Sequence, residues 1–370
     1  MQQPAGSISP ARRAWQHFRR NPLAMTGLIF TCLIFVVTVP AYLFTPDATT
    51  HANMQVLELG RRPPGTRVTL LLLPLGTPTP VSPGWIFTGK PADYQPVPVA
   101  GAVRRRDGYI CFETLAGNPD SLALDKFGPA AAELPPDAFS RAYVRDFTYL
   151  LGTDSYGRDL LSRLLVGGRV SLAVGLMAVW ISLALGILAG LLAGYLGGWV
   201  DRAIMWLVSV LWSIPTLLLA LVLSFILGRG FWQLFVAIGA SMWVEVARLV
   251  RGQILSVREL QYVEAARAMG FGAGRVMWRH VLPNVFSPII VMAVANFGSA
   301  VLVESGMSFL GIGVEPPVPS WGRMVYEGYT YIVFENGKWL AFFPGLALVL
   351  LIVAINLVGI GLRDALDVRK

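Results

Sequence analysis

Charge is the scarcest ingredient of this sequence. Asp, Glu, Lys and Arg make up only 14% of its 370 residues, whereas a soluble globular chain carries about 25%. An ordinary soluble domain is thereby excluded. Cysteine is nearly absent as well. Cys32 falls in an apolar run and Cys111 in a distant mixed stretch, so no disulfide framework is expected. The three histidines, His17, His51 and His280, are scattered and offer no metal-ligand spacing. No Ser-His-Asp set or carboxylate pair emerges, so the chain is read as a non-enzyme with no catalytic residue and no metal. One stretch imitates a nucleotide site. Gly84 to Lys90 (GWIFTGK) matches the first seven positions of a P-loop, but Pro91 stands where a Ser or Thr hydroxyl would reach magnesium.

Apolar residues are abundant, at 55% of the chain. They gather into runs of about 20, the length that crosses about 30 Å of hydrocarbon. Six spans are expected, at 23–45, 168–196, 202–227, 231–249, 285–306 and 340–361. Arg12, Arg13, Arg19 and Arg20 precede the first span without an acidic residue, which puts the N-terminal tail (1–22) in the cytoplasm. No small-residue cleavage site follows a short apolar core, so the first span reads as a retained helix rather than a signal peptide. Residues 46–167 hold 12 basic and 12 acidic residues, and the rest of the chain carries the whole net charge of +8. Arg251, Arg258, Arg267, Arg275, Arg279, Arg363, Arg369 and Lys370 fall in segments this topology keeps inside. That bias, and the lack of a basic stripe interleaved with aromatics, argue for a multi-pass membrane protein with both termini cytoplasmic and against nucleic-acid binding.

Between the first two spans, residues 46–150 are rich in Pro, Gly and Arg. Arg67–Leu73 and Tyr109–Phe112 read as short strands between turn signals. An irregular, partly β, extracytoplasmic insert is expected, either a pore cap, a docking surface or a passive elaboration. Next, Tyr156–Gly167 has helical apolar spacing at Leu160, Leu161, Leu164 and Leu165, which predicts an interfacial amphipathic helix. Gly186, Gly190 and Gly194 recur every fourth residue, a ridge that lets helices approach closely in lipid. Glu304, near the end of the fifth span, either lines a solute path or hydrogen-bonds a neighbouring helix. Glu245 and Arg248 are spaced to form a local pair.

The loop at 250–284 holds the most informative stretch, QYVEAARAMGFGAGRVMWRHVLPNV from Gln261. Glu264–Met269 favours helix, with Tyr262, Ala266 and Met269 on one side. Ala265 and Ala266 are small enough to admit a partner surface, with Glu264 and Arg267 at the rim. Gly270 suits the left-handed residue that ends a helix, and Pro283 is expected to break the following piece. The result would be a rigid knob.

Glu264, Ala265, Ala266, Gly270, Leu282 and Pro283 in this spacing resemble the signature loop of ABC importer permeases, with His280 where Ile is usual. The segments RRAWQHFRRNPLAM, LGTDSYGRDLLSRLLVGGRVSL, SFLGIGVEPPVPSWG and FPGLALVLLIVAINLVGIGLRDALD resemble the "C-type" permeases of the dipeptide, oligopeptide and nickel branch. Together they cover residues 9–45 and 150–370. Ile360 and Val368 depart from the C-terminal pattern. The resemblance implies an all-α integral membrane fold, the six-helix type I permease, with 151–370 as its transmembrane domain. It implies that Glu264, Ala265, Ala266, Arg267, Met269, Gly270, Leu282 and Pro283 contact an ATPase. It further implies a second, different permease, two ATP-binding subunits that carry ATP and magnesium, an extracytoplasmic solute-binding protein and a bacterial inner membrane. Peptide is the expected solute, with nickel or another metal complex as the alternative. A secondary transporter would leave the signature loop unexplained, and a membrane scaffold without transport is the further alternative, which an uptake assay distinguishes.

Overall fold

The computed structural model describes residues 10–76, 80–228, 230–334 and 336–366. The start of the expected tail, and Val368, Arg369 and Lys370, lie outside them. In chain order the principal helices are α1 (Pro10–Arg20), α2 (Pro22–Thr38), α3 (Leu160–Leu196), α4 (Gly198–Trp212), α5 (Thr216–Leu227), α6 (Phe231–Val257), α7 (Gln261–Ala268), α8 (Phe286–Phe309), α9 (Trp321–Tyr329) and α10 (Lys338–Leu366). Among the described residues, four helical stretches are alone long and apolar enough to cross a membrane: α3, α6, residues 273–309 and α10. Counting each of the bent pairs α1–α2 (98°) and α4–α5 (97°) as one span gives six.

Three departures from expectation have physical causes. The 202–227 span is broken. Pro215 lacks an amide donor and is itself non-helical, at φ −53° and ψ 132°, and α4 and α5 meet at 97°. The separate interfacial helix does not exist, because residues 160–167 are the first turns of α3, a helix about 55 Å long at 1.5 Å per residue. Of the apolar stripe Leu160 is buried and Leu161, Leu164 and Leu165 are half-buried, and the polar side, with Ser162 and Arg163, is buried as well, so these turns pack against protein. Glu245 and Arg248 are not paired. The Arg248 guanidinium lies 3.8 Å from the centre of the Trp212 ring instead.

The chain forms two compact units. The helical unit comprises residues up to 35, 171–315 and from 347 onward, and the sheet-bearing unit comprises 36–170 and 316–346. In the helical unit, α3 and α6 approach along the glycine ridge. A Cβ on Gly190 would stand 2.6 Å from the Ala247 carbonyl oxygen, and one on Gly194 would stand 2.9 Å from Ile254 Cβ. Gly186 is equally close to Val246, and Gly239 of α6 answers against Ile181 of α3. The Arg251 guanidinium grips Asp201 with two hydrogen bonds, 2.5 and 2.7 Å, tying α6 to α4.

The insert is more regular than expected. Five antiparallel strands, β1 (Thr66–Pro74), β2 (Tyr94–Arg106), β3 (Tyr109–Glu113), β4 (Pro119–Ala123) and β5 (Val144–Tyr149), lie in the order β4-β3-β2-β1-β5. The Leu70–Leu73 run is continuous because β1 is covered on both faces. Val68 and Leu70 join Val56, Leu59 and Tyr149, while Leu71 joins Val99, Ile110, Phe112, Phe127 and Phe139. The unit extends beyond 46–150 because α9 and the loop that carries residues 153–159 belong to it.

That loop builds a buried charge cluster. Asp154 Oδ2 accepts from Arg158 Nε at 2.6 Å and lies 3.4 Å from Arg163 Nε. Glu327 Oε2 of α9 lies 3.3 Å from Arg158 and 3.5 Å from Arg163. Asp159 Oδ2 accepts from both the amide and the hydroxyl of Ser162, whose oxygen accepts the Asp47 amide at 2.9 Å. Burial pushes the Asp159 carboxyl up to about 6. Hydrogen bonds from Ser162 oppose the shift, and the charges of Asp47 and Asp154 reinforce it. Gly157 has φ +72°, and any Cβ there would collide with the Val56 carbonyl, so the turn between Asp154 and Arg158 admits only glycine.

Candidate functional site

The predicted loop begins later than residue 250. α6 continues through Val257, burying Val250 and Ile254. After a turn, α7 starts with Glu264 in its first turn, where a carboxylate favours the positive end of the helix dipole. Val263 and Ala266 are fully buried against Val250, Ile254, Val276, Val281 and Leu282. Burying a valine contributes about 1.5–3 kcal/mol relative to leaving it exposed, so this inner stripe holds α7 in a fixed register. Glu264, Ala265, Arg267, Met269 and Gly270 are exposed, together with Tyr262 and Ala268. Ala266 is therefore corrected: its small size lets α7 sit close to its own core, and only Ala265 of the alanine pair offers room outside. Leu282 likewise faces inward at 5% exposure, while Pro283 is outside.

The end of α7 is closed by a Schellman motif. Gly270 (φ +78°) donates its amide to the Arg267 carbonyl at 2.9 Å, and Phe271 donates to the Ala266 carbonyl at 3.2 Å. Phe271 packs on the same core cluster and stacks on His280 at 6.0 Å between ring centres. The Arg267 guanidinium lies 4.9 Å from the centre of the Tyr195 ring in α3.

Pro283 does not break the chain's course. A π-turn at Met277–Val281 and a 3₁₀ turn at Leu282–Val285 carry the helix into α8. Widening the ladder one turn before the proline accommodates its missing donor, and Asn284 Nδ2 donates to the His280 carbonyl at 2.7 Å. Asn284 also hydrogen-bonds Tyr262, opposing the upward push of burial on that phenol. Phe271, Asn284 and the Tyr262 contact were missed from the sequence. The assembled site is a solvent-facing knob braced on α3, α6 and α8.

The other candidates fall elsewhere. Glu304 is fully buried, accepting from Ser308 Oγ at 2.8 Å and from Ser171 Oγ of α3 at 3.4 Å. These contacts are of the kind the helix-bridging alternative expects, tying α8 to α3. The P-loop imitation is a short helix, Trp85–Thr88, and the Lys90 ammonium sits 4.2 Å from the centre of the Trp85 ring.

Two family descriptions match this chain. Residues 186–370 match the binding-protein-dependent transport system inner membrane component, and residues 9–64 match the N-terminal transmembrane domain of oligopeptide transport permease C. The chain belongs to this permease family. The di/tripeptide transport system permease protein DppC of Pseudomonas aeruginosa is 45% identical over 219 residues, 59% of this chain and 72% of that one. The glutathione transport system permease protein GsiD of Pectobacterium atrosepticum is 43% identical over 217 residues, 59% and 71% of the two chains. The oligopeptide transport system permease protein OppC of Haemophilus influenzae is 39% identical over 228 residues, 62% and 73%. Among solved structures, an inward-facing MetNI methionine ABC transporter aligns with TM-score 0.46 and 19% identity, over 55% of this chain and 96% of that one. The permease is thus a multi-pass membrane subunit of a binding-protein-dependent transporter, with the fold of its family.

Proposed function

We propose that this permease forms half of the translocation pore of an ATP-driven importer for di- or oligopeptides. The observation that carries the solute class is the set of relatives named for di/tripeptide, oligopeptide and glutathione transport. The braced knob at α7 supports the coupling role. A second, different permease completes the pore. Two ATPase subunits dock beneath and hold the nucleotide and magnesium, and a solute-binding protein delivers peptide from outside. The termini and the α7 knob face the cytoplasm of a bacterium, in agreement with the arginines before α2. The outer face of α7, formed by Tyr262, Glu264, Ala265, Arg267, Met269 and Gly270, meets the ATPase. ATP favours the closed ATPase pair, and the knob transmits that preference to the pore as a shift between two arrangements.

The test is purification of the permease from its native membrane with its partners, followed by uptake of labelled di- and tripeptides in proteoliposomes. ATP-dependent uptake that needs the binding protein supports the reading. Uptake of nickel complexes alone would reassign the solute. A permease that purifies with no ATPase would sink the coupling role.

A further inference from the structure

The importer reading does not use α1. Its sequence, PARRAWQHFRR, contains Arg12, Arg13, His17, Arg19 and Arg20 and no acidic residue. At about 100° per residue, these five and Gln16 fall on one continuous arc, and Ala14, Trp15 and Phe18 occupy the opposite side. The fold uses the apolar side sparingly. Phe18 is buried at 4% exposure against Ala24 and Gly361 of α10. Trp15, at 49% exposure, stacks on Phe18 with 5.8 Å between ring centres and 8° between planes. All five basic side chains are exposed, and no ion pair to them occurs among the described residues.

Geometry decides what such a face can meet. α1 turns 98° from α2. Asn21 enforces the corner, donating its amide to the Phe18 carbonyl at 3.1 Å, while its Oδ1 accepts the amides of Leu23 and Ala24 at 3.1 and 3.2 Å. Pro22 then opens α2 without an amide to satisfy. With α2 crossing the bilayer, α1 lies in the membrane plane at the end of the span. A half-exposed tryptophan beside a basic arc suits the boundary between acyl chains and headgroups.

We infer that α1 is a lipid-recognition element that binds the headgroups of anionic phospholipids through Arg12, Arg13, Arg19 and Arg20, with Trp15 seated among the upper acyl carbons. Anionic lipid is the partner because the helix presents positive charge alone, in the plane where the negative cytoplasmic leaflet lies. The choice of leaflet rests on the cytoplasmic N-terminus proposed above, whereas headgroup binding does not require it.

The full permease, purified alone and reconstituted in vesicles of four parts phosphatidylcholine to one part phosphatidylglycerol, provides the test. Spin-labelled versions of each lipid report the relative association constants at the protein surface. The expected result is a preference for phosphatidylglycerol that falls about fivefold for each arginine replaced, in R12Q, R13Q, R19Q and R20Q and their combinations. The preference should persist in the matching lysine variants and shrink in high salt. Equal association of the two lipids with the wild type overturns the inference, as does a preference that survives all four glutamine changes. Loss of ATPase co-purification in the glutamine variants, with no lipid preference in the wild type, overturns it in favour of a protein contact. No partner subunit or transport assay enters the lipid readout, so its failure is separable from failure of the importer reading.

Discussion

Gly270 offers a way to perturb the knob without disturbing the fold. Its φ of +78° is left-handed, and a Cβ built there meets nothing within 4 Å. The cost of replacing it is therefore backbone strain alone, about 1–2 kcal/mol for an ordinary L-residue. No neighbour clashes with the new side chain, so the strain appears as loosening of the Schellman closure rather than as global unfolding. An energy of that size changes a population ratio about 5–30-fold. For Gly270→Ala, the expected outcome is a fall of that order in ATP-driven uptake and in affinity for the ATPase subunits, with thermal stability nearly unchanged. Gly270→Asn should be milder, since asparagine tolerates the left-handed region. Gly270→Val should be worst, because branching at Cβ makes that region still less accessible. The decisive comparison is Asn against Ala, measured by uptake in proteoliposomes and by direct ATPase binding. If asparagine, the larger residue, is more damaging than alanine, side-chain bulk at a docking surface governs the site and the strain argument fails. Wild-type rates for all three would remove the knob's closure from the mechanism.

Three other outcomes follow from the packing. Asp154→Asn leaves Arg158 and Arg163, whose side chains are 4% and 2% exposed, without their central anion. A loss of about 3–5 kcal/mol in the sheet-bearing unit should appear in thermal and proteolytic unfolding, while Asp107→Asn, at a fully solvated pair, should change almost nothing. Asp159 holds its proton to about pH 6 in the fold, against about 3.9 when unfolded. The folded state thus binds more protons between those values, and stability should fall as pH rises from about 4 through 6. Asp159→Asn should reduce that slope, leaving the part from Asp47, whose carboxyl burial also pushes up, and urea unfolding across the range would reveal the change. Gly190→Leu drives a side chain into the Ala247 carbonyl and should separate α3 from α6, whereas Gly252→Leu on α6 meets open space. Comparable expression and thermal midpoints for the two would contradict the close approach.

The sequence was legible wherever the determining physics is local. Span lengths, the glycine ridge and the helix–glycine pattern at 261–270 depend on neighbours a few residues away. The bend at Pro215 was obscured because hydrophobicity continues unbroken across it. The start of α3 was misassigned because an apolar stripe looks the same whether lipid or protein covers it. Ala265 and Ala266 could not be told apart without the register that Val263 sets. Two strands were found and three missed: β2 carries Pro96, Pro98 and three arginines, β4 is only PDSLA, and β5 finds its partner far back in the chain. The charge cluster was hidden for the same reason, since Glu327 lies 169 positions beyond Arg158.

The pairing of β1 with β5 has a consequence for how this permease acquired its size. Thr66 stands opposite Tyr149, and Leu71 opposite Val144, so the polypeptide departs and returns about 5 Å apart. Everything beyond the Leu71–Val144 rung is a closed excursion. The excursion also touches the preceding chain, since Lys90 pairs through its backbone with Ala48 and Thr50, and Trp85 packs on the cluster that holds Tyr42 and Ala52. An enlargement anchored in this way returns the chain to where it left, so the segments on either side of the β1–β5 pair need not move apart to admit it.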